Sequence, residues 1–382
     1  MDQFGIYIHI PYCLQRCIYC DFTTFEFNKI MPPEQYVEYL KKEIQTRSRF
    51  VPFKSLTSIY FGGGTPSLID ADHIVSILQE LNNAGFETNE NTEVTIEINP
   101  ATVSKDNLQT YLQAGINRFS VGAQSFDNEL LKACGRRHNA DDTVNTLELL
   151  KDYNYSFDLL FALPNQSLQQ LQRDLDLVNK YKPPHLSAYC LTVPEGHPMS
   201  YHRPEEEAQV EMFHLIENEL KKSGLLKYEI SNFARPGYES KHNMLYWTYN
   251  NFWGLGLSAH SFFNVPDYGT RFWNPKKFDD YTDQINSDLL ISQLPSSQKE
   301  HLKTHEALTD FIHTHLRTTR GMNIVQLKNM FPDQNDQVIG RLKKLKKDDL
   351  ICSDSNNFKL TSKGFLLSNF VFEYMAFFED CI

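Results

Sequence analysis

Basic residues are in short supply in this chain of 382 residues: 37 Lys plus Arg stand against 48 Asp plus Glu, a formal net charge of −11. A surface of that sign repels phosphate at long range, so nucleic acid is not expected as a partner. Long apolar runs are lacking too. The longest uncharged stretch, His242 to Pro266, carries Asn, His, Thr, Ser and Tyr throughout and fails as a membrane-spanning helix. The first residues contain no basic segment leading into an apolar one and enter a strand-like run directly, which argues against a secretory leader and for a cytoplasmic protein. Internal repeats and low-complexity tracts are missing. At 41% hydrophobic and 22% charged, disorder, collagen and coiled coil are excluded as descriptions of the whole. Cysteine is sparse, seven residues in all, and in a leaderless chain it serves as thiol or metal ligand more readily than as disulfide. Yet Cys13, Cys17 and Cys20 fall within eight residues of one another. Such crowding needs a cause.

Length alone suggests roughly two or three domains. From Ile6 to about residue 195, short apolar runs begin at Ile6, Ser58, Glu93, Arg118, Ser156 and His185 and alternate with stretches of helical spacing, such as Tyr36, Tyr39, Leu40 and Ile44. Six βα units in series imply an α/β fold with a parallel sheet, doubly wound or curled into a complete or partial (β/α) barrel. Every unusual residue cluster of this region follows a predicted strand, where barrels gather their chemistry, and this favours a partial (β/α)6 TIM-like barrel. A long helix is expected over about 205–223. Strands and ordered loops are expected over 242–275. From about residue 300 the order becomes helix, helix, hairpin and a final amphipathic helix, a smaller α+β winged-helix-like domain. The expected divisions are 1–235 for the barrel, 236–299 for a connecting region and 300–382 for the C-terminal domain.

The sharpest motif is C-L-Q-R-C-I-Y-C from Cys13, a C-x3-C-x2-C run just after the first strand. Three thiolates on one loop can hold three corners of a four-iron cluster and leave the fourth iron open to a small molecule. Chance clustering, or a zinc site whose fourth ligand lies elsewhere, are the bland alternatives. G-G-G-T-P from Gly62 follows the second strand, and its missing Cβ atoms let backbone approach a ligand. Glu97, Gln124, Arg136 and Asp158 end or follow later strands; a carboxylate suits ribose hydroxyls and Arg suits a carboxylate. Asp158, inside an apolar run, needs buried partners. In H-N-M-L-Y-W, His242 can supply an axial imidazole and Tyr246 and Trp247 flat walls for a porphyrin, although a satisfied His beside core aromatics is the commoner meaning. G-L-G-L-S-A-H from Gly254 looks like a dinucleotide fingerprint, but no βαβ unit follows and no acidic residue sits about 20 positions on, so a tight turn is expected.

The cysteine run, with an aromatic before its last Cys, resembles that of the radical S-adenosylmethionine (SAM) proteins. Y-I-H-I-P-Y-C from Tyr7, F-G-G-G-T-P-S from Phe61, E-I-N-P from Glu97, S-V-G-A-Q-S-F from Ser120, G-R-R-H from Gly135 and D-L-L-F-A-L-P from Asp158 resemble the oxygen-independent coproporphyrinogen III oxidase branch of that family. The resemblance implies a radical-SAM barrel, a 4Fe-4S cluster on Cys13, Cys17 and Cys20, and SAM chelated to the open iron. It also implies that Gly63, Gly64 and Thr65 hold the methionine end of SAM, that Tyr7 and Tyr19 flank it, and that Glu97, Gln124, Arg136, Asp158 and Thr192 complete its site. In the decarboxylating oxidases the motif continues as C-x-C, whereas here Cys20-Asp21-Phe22 sets a Phe in place of the fourth Cys. H-N-x-x-Y-W and C-D-F both resemble the heme chaperone branch of the family, which implies heme on His242, a heme-acceptor protein as partner, membrane-associated or not, and a homodimer as one assembly state. No catalytic residue is assigned, and whether the chain is an enzyme stays open. An oxygen-independent coproporphyrinogen III dehydrogenase is the rival expectation, and a winged-helix regulator with an iron-sulfur sensor a distant third. The C-terminal region is expected to serve as a lid or docking surface, with a solvated helix face as the bland counterpart. Cys134, Cys190, Cys352 and Cys381 receive no role.

Overall fold

A computed structural model of the chain describes residues 3–379. Six strands lie side by side and parallel in chain order: β1 (Phe4–Ile10), β2 (Ser58–Gly63), β3 (Glu93–Ile98), β4 (Arg118–Gln124), β5 (Tyr155–Phe161) and β6 (His185–Cys190). The helices between and after them are α1 (Pro33–Arg47), α2 (Ala71–Asn83), α3 (Lys105–Gln113), α4 (Ala140–Leu150), α5 (Leu168–Tyr181) and α6 (Glu206–Lys222). Local sequence sets their starts. Asn139 with Asp142 and Ser167 with Gln170 form reciprocal capping boxes at α4 and α5. This is the expected partial (β/α)6 barrel, and its strands read with period two. Phe4, Ile6, Ile8 and Ile10 point outward into the main hydrophobic core, while Gly5, Tyr7 and His9 face the lumen, where a Cβ on Gly5 would lie 2.8 Å from Ser58 Oγ.

Residues 236–299 are not a connector, contrary to the sequence reading. β7 (Asn232–Ala234) pairs antiparallel with β6, and β8 (Asn251–Leu255) pairs parallel with β1 on the opposite flank. β9 (His260–Phe263), β10 (Thr270–Trp273) and β11 (Lys299–His301) continue the same sheet antiparallel. H-N-M-L-Y-W is likewise neither strand nor loop but helix α7 (Lys241–Trp247), started by Ser240, whose side chain accepts from Asn243 N–H. The i, i+3 pair His242 and Leu245 turns inward and is buried. Because Lys241 N–H and His242 N–H donate to Glu93 at the start of β3, α7 closes the N-terminal end of the barrel.

The C-terminal part departs from the expected order by one element: a short helix, Ile324–Met330, lies between α8 (Thr304–Leu316) and α9 (Asn335–Lys347), and the hairpin β12 (Ile351–Asp354) and β13 (Asn357–Leu360) follows. One final helix was expected; two short ones, Ser362–Leu366 and Ser368–Tyr374, stand in its place, broken at Leu367 with φ −102° and ψ 28°. This part has its own apolar core, which takes in Tyr249 from the turn after α7 and Phe262 from β9. No helix among the described residues is long and apolar enough to cross a membrane.

G-L-G-L-S-A-H is the tight turn anticipated. Gly256 has φ +90°, and a Cβ there would sit 2.4 Å from Tyr36 Oη and 2.9 Å from His9 O. The turn is tied to α1 by Glu43, which is fully buried and accepts from Gly256 N–H (2.9 Å), Asn274 Nδ2 (2.7 Å), Tyr281 Oη (2.9 Å) and Arg47 Nη1 (2.6 Å). Glu43→Ala would leave the Arg47 guanidinium, 1% exposed, without its counter-charge. The expected loss is about 3–5 kcal/mol, checked by urea unfolding with unchanged slope.

Candidate functional site

The loop after β1 is held at several backbone points before any ligand is considered. Phe25 N–H donates to Pro11 O (2.8 Å), Ile18 N–H to Cys134 O (3.1 Å) and Thr65 N–H to Tyr12 O (2.7 Å). His9, buried in the lumen wall, bonds Tyr7 Oη through Nδ1 (3.0 Å) and Thr23 O through Nε2 (2.8 Å). Burial pushes His9 down to about 4, so the ring is neutral at pH 7 and its Nε2–H donates to the loop. Underneath the loop lies a small apolar cluster of Leu130, Cys134, Leu160, Leu163, Leu191 and Met199, which gives the otherwise roleless Cys134 a packing function.

Cys13, Cys17 and Cys20 line one cavity of about 400 Å³ at the C-terminal ends of the strands. Gly63, Gly64, Thr65, Tyr19, Glu97, Gln124, Arg136 and Asp158 line the same cavity, so eight of the eleven predicted cofactor residues converge with the cysteines. Gln124 reaches in from an irregular end of β4, where its φ is +65° and the register with β5 shifts. The backbone of Gly64 runs so close to the loop that a Cβ would lie 2.6 Å from Tyr12 O. Arg136 donates through Nη1 to Cys17 Sγ (3.5 Å) and through Nη2 to Asn99 Oδ1 (2.5 Å) and Gly122 O (2.7 Å). Glu97 accepts from Tyr60 Oη (2.8 Å) and Gly63 N–H (3.2 Å). Burial pushes Glu97 up to about 7 against the lowering pull of Tyr60, and Asp158 up to about 6 against that of Ser187.

Three predicted positions lie elsewhere. Tyr7 sits one layer below the cavity, its ring 6.3 Å from that of Tyr60. Thr192 lines a neighbouring cleft instead, with its hydroxyl on Cys190 O. His242 requires a correction. Its ring is 1% exposed at the floor of the barrel, with Nδ1 on Ser58 Oγ (2.9 Å) and Nε2 on Tyr246 Oη (2.7 Å), stacked on Tyr60 at 5.1 Å. Burial, with the Arg118 charge adding, pushes it down to about 3. Both nitrogens are occupied and the ring is buried, so in this conformation it packs as a core histidine. Of the residues not singled out from sequence, His9, Tyr60 and Asn99 act here; the signal that finds the first two is their inward parity on strands already identified.

Among the described residues, no three His, Cys, Asp or Glu side chains converge as a single metal ion would require. A four-iron cluster needs a different arrangement, because each cysteine meets its own iron. Three cysteines around one cavity, with a guanidinium on one sulfur and a backbone cradle opposite, fit that group.

Comparison with known proteins agrees. Residues 7–178 match the model of the radical SAM superfamily, and residues 302–367 that of the HemN C-terminal domain. Coproporphyrinogen III oxidase (HemN) from Escherichia coli, a radical SAM enzyme, superposes with a TM-score of 0.82 at 20% identity, covering 98% of this chain and 90% of that one, a likeness of fold. Fold and site thus define a radical SAM protein. The heme chaperone HemW of Bacillus subtilis is 30% identical over 378 residues, 96% of this chain and 97% of its own. That of Escherichia coli strain K12 is 34% identical over 274 residues, 70% of this chain and 72% of its own. The chain belongs to the HemW family.

The Glu97 carboxyl makes stability depend on pH. Its folded-state value, about 7, lies above the ordinary carboxyl value of 4.5, so the native state holds this proton more tightly. The stabilisation is complete below about pH 4.5 and is lost as pH rises through 7, to the extent of about 3 kcal/mol. Relative to the unaltered chain, Glu97→Gln is therefore expected to gain stability progressively from pH 4.5 to 7, read by denaturant unfolding of the cluster-free protein at both ends of that window.

Proposed function

We propose that the chain is a radical-SAM-type heme chaperone that binds heme and transfers it to an acceptor protein, with a 4Fe-4S cluster on Cys13, Cys17 and Cys20 and SAM in the adjoining cavity. The observation that carries this reading is Phe22. It lines the cavity, 64% exposed at its lip, in the position where the oxidases continue with a further cysteine. Kinship points the same way, since six curated relatives at 30–36% identity are heme chaperones by name. The oxidase likeness, at 20% identity, speaks for the fold alone.

Within this reading, Gly63, Gly64 and Thr65 present backbone and hydroxyl groups to the methionine end of SAM, Arg136 takes its carboxylate, and Glu97 and Asp158 take the ribose hydroxyls. Tyr19 covers one side, and Gln124 adds a neutral hydrogen-bonding group. Reduced iron-sulfur clusters in this superfamily supply an electron to SAM; the chain's own part is to orient the cofactor and exclude water. The acceptor is a heme protein, soluble or membrane-bound, and self-association into a dimer would be governed by the loaded cluster.

SAM carries a sulfonium charge. Its binding beside two carboxyls with raised values favours their ionised forms, so affinity is expected to rise with pH between about 5.5 and 8 and binding to release protons; calorimetry in buffers of differing ionisation enthalpy measures both.

The deciding experiment for the function is a heme titration of the anaerobically reconstituted protein, followed in the Soret band, then mixing with an apo heme protein. Saturable one-to-one binding and transfer are expected. Coproporphyrinogen turnover with SAM, in the absence of saturable heme binding, would overturn the proposal.

A further inference from the structure

Cys17 and Cys20 are the ends of a β-turn, closed by Cys20 N–H donating to Cys17 O (3.2 Å), with Ile18 and Tyr19 at its centre. The orientation of the central peptide is what separates the common turn types, so a turn whose central peptide is unheld has more than one conformer available. Here that peptide is gripped from outside. Ile18 O accepts from His197 Nε2 (3.1 Å), and Ile18 N–H donates to Cys134 O (3.1 Å). The Ile18 side chain rests on Gly135, where a Cβ would come within 3.1 Å of its Cγ1.

His197 is suited to hold such a contact. It lies half-buried on the segment between β6 and α6. Its Nδ1 accepts from Met199 N–H (3.1 Å), which in the neutral ring places the proton on Nε2, the atom that faces Ile18 O. Met199 is itself anchored, 3% exposed, in the small apolar cluster beneath the cysteine loop. The two sides of the contact are therefore tied to one cluster, Ile18 through Cys134 and His197 through Met199. Thr192 and Arg203, on either side of His197 in the same segment, line the neighbouring cleft, a second cavity of about 690 Å³ bounded by β6, α6 and the C-terminal helices.

We propose that His197 is a positioning residue for the iron-sulfur cluster: it locks the Ile18–Tyr19 peptide, and with it the single conformer in which the turn presents the Cys17 and Cys20 thiolates. The inference rests on the cluster reading of the three cysteines and adds a residue far outside the motif that shapes it. A trans peptide points its C=O and N–H in opposite directions. With Ile18 O drawn to His197, Tyr19 N–H is turned to the other face of the turn. Tyr19, Cys17 and Cys20 line the cofactor cavity and Ile18 does not, so that face is the one the sulfurs occupy. Hydrogen bonds to cluster sulfurs favour the reduced state and raise its potential. Rotation of the peptide would withdraw this donor and loosen two of the three ligands together. Cys13 is held independently, by Thr65 N–H on Tyr12 O and Phe25 N–H on Pro11 O.

The test compares His197→Ala with His197→Gln, whose side-chain amide keeps a donor at the reach of Nε2. In the full-length, cluster-free protein, Cys17 and Cys20 of His197→Ala are expected to alkylate about threefold faster than in the unaltered chain, as the loss of one partly exposed hydrogen bond implies. Cys13 should be unchanged and the Gln variant close to the unaltered chain, all three thiols being read by peptide mass spectrometry after iodoacetamide. After anaerobic reconstitution, His197→Ala should lose iron to bathophenanthroline about threefold faster and show a more negative midpoint potential, with the circular dichroism of the unaltered chain. Unchanged alkylation, a rise shared equally by all three cysteines, or an unmoved potential overturns the proposal, as does a Gln variant that behaves like the Ala variant. Failure of the unaltered chain to take up a four-iron cluster would instead sink the cofactor reading, and alkylation of the cluster-free chain would still decide on the turn.

Discussion

The structure depends on how a polar barrel interior is kept satisfied. Each of the six parallel strands turns alternate residues inward, and these are groups such as Ser58, Tyr60, Glu97, Asp158 and His185, not the aliphatic layers that fill many barrels. Once α7 seals the N-terminal end, water cannot serve as their partner there, and each needs one within the protein. His242 bridges Ser58 and Tyr246 at the floor. A layer higher, Tyr60 stacks on His242 and gives its hydroxyl to Glu97. Tyr7 hands on to His9, and His9 to the cluster loop at Thr23. The seal at one end therefore orders, group by group, the mouth at the other.

That ordering explains how a loop with exposed Leu14, Ile18 and Phe22 can present cysteines at fixed positions. Loop backbone is costly to fix, at roughly 1–2 kcal/mol per residue. Ties to Cys134, to His9 on β1 and to Thr65 after β2 spread that restraint over three different parts of the barrel, so cluster assembly meets a loop already shaped. The apolar side chains left outside form a patch beside the cavity, with Phe22 at its lip.

Much of this was legible in the sequence. The six strand runs, their order and the cysteine spacing define the barrel and place the chemistry at the strand ends, and eight of the predicted cofactor residues share one cavity with the cysteines. What escaped are features set by tertiary contact. Residues 241–247 carry aromatics with little visible period, and only their packing against Glu93 and Ser58 makes them a helix. The flanking strands β8 to β11 are short, and pairing with β1, not their own propensity, fixes them. His242 had two meanings on sequence grounds, heme ligand or satisfied surface histidine, and the structure finds it buried at the barrel floor with both nitrogens engaged. The cleft beside β6 was invisible for the same reason: its walls come from segments some 200 residues apart, and no motif marks them.

The division of space has a consequence for how a protein of this fold can act without an oxidase's full motif. The floor is closed, the cysteines and their neighbours line the cavity at the mouth, and a larger opening lies to the side, bounded by the C-terminal helices. A ligand there is separated from the cofactor cavity by Tyr189, at the end of β6, rather than placed against the cofactor. Arg203 sits on the segment that leaves β6, and its Nε bond to Ala162 O, where φ is +58°, joins the cleft to the end of β5. The lateral cleft and the cavity at the mouth therefore draw on the same two strand ends, β5 through Asp158 and Phe161 and β6 through Tyr189.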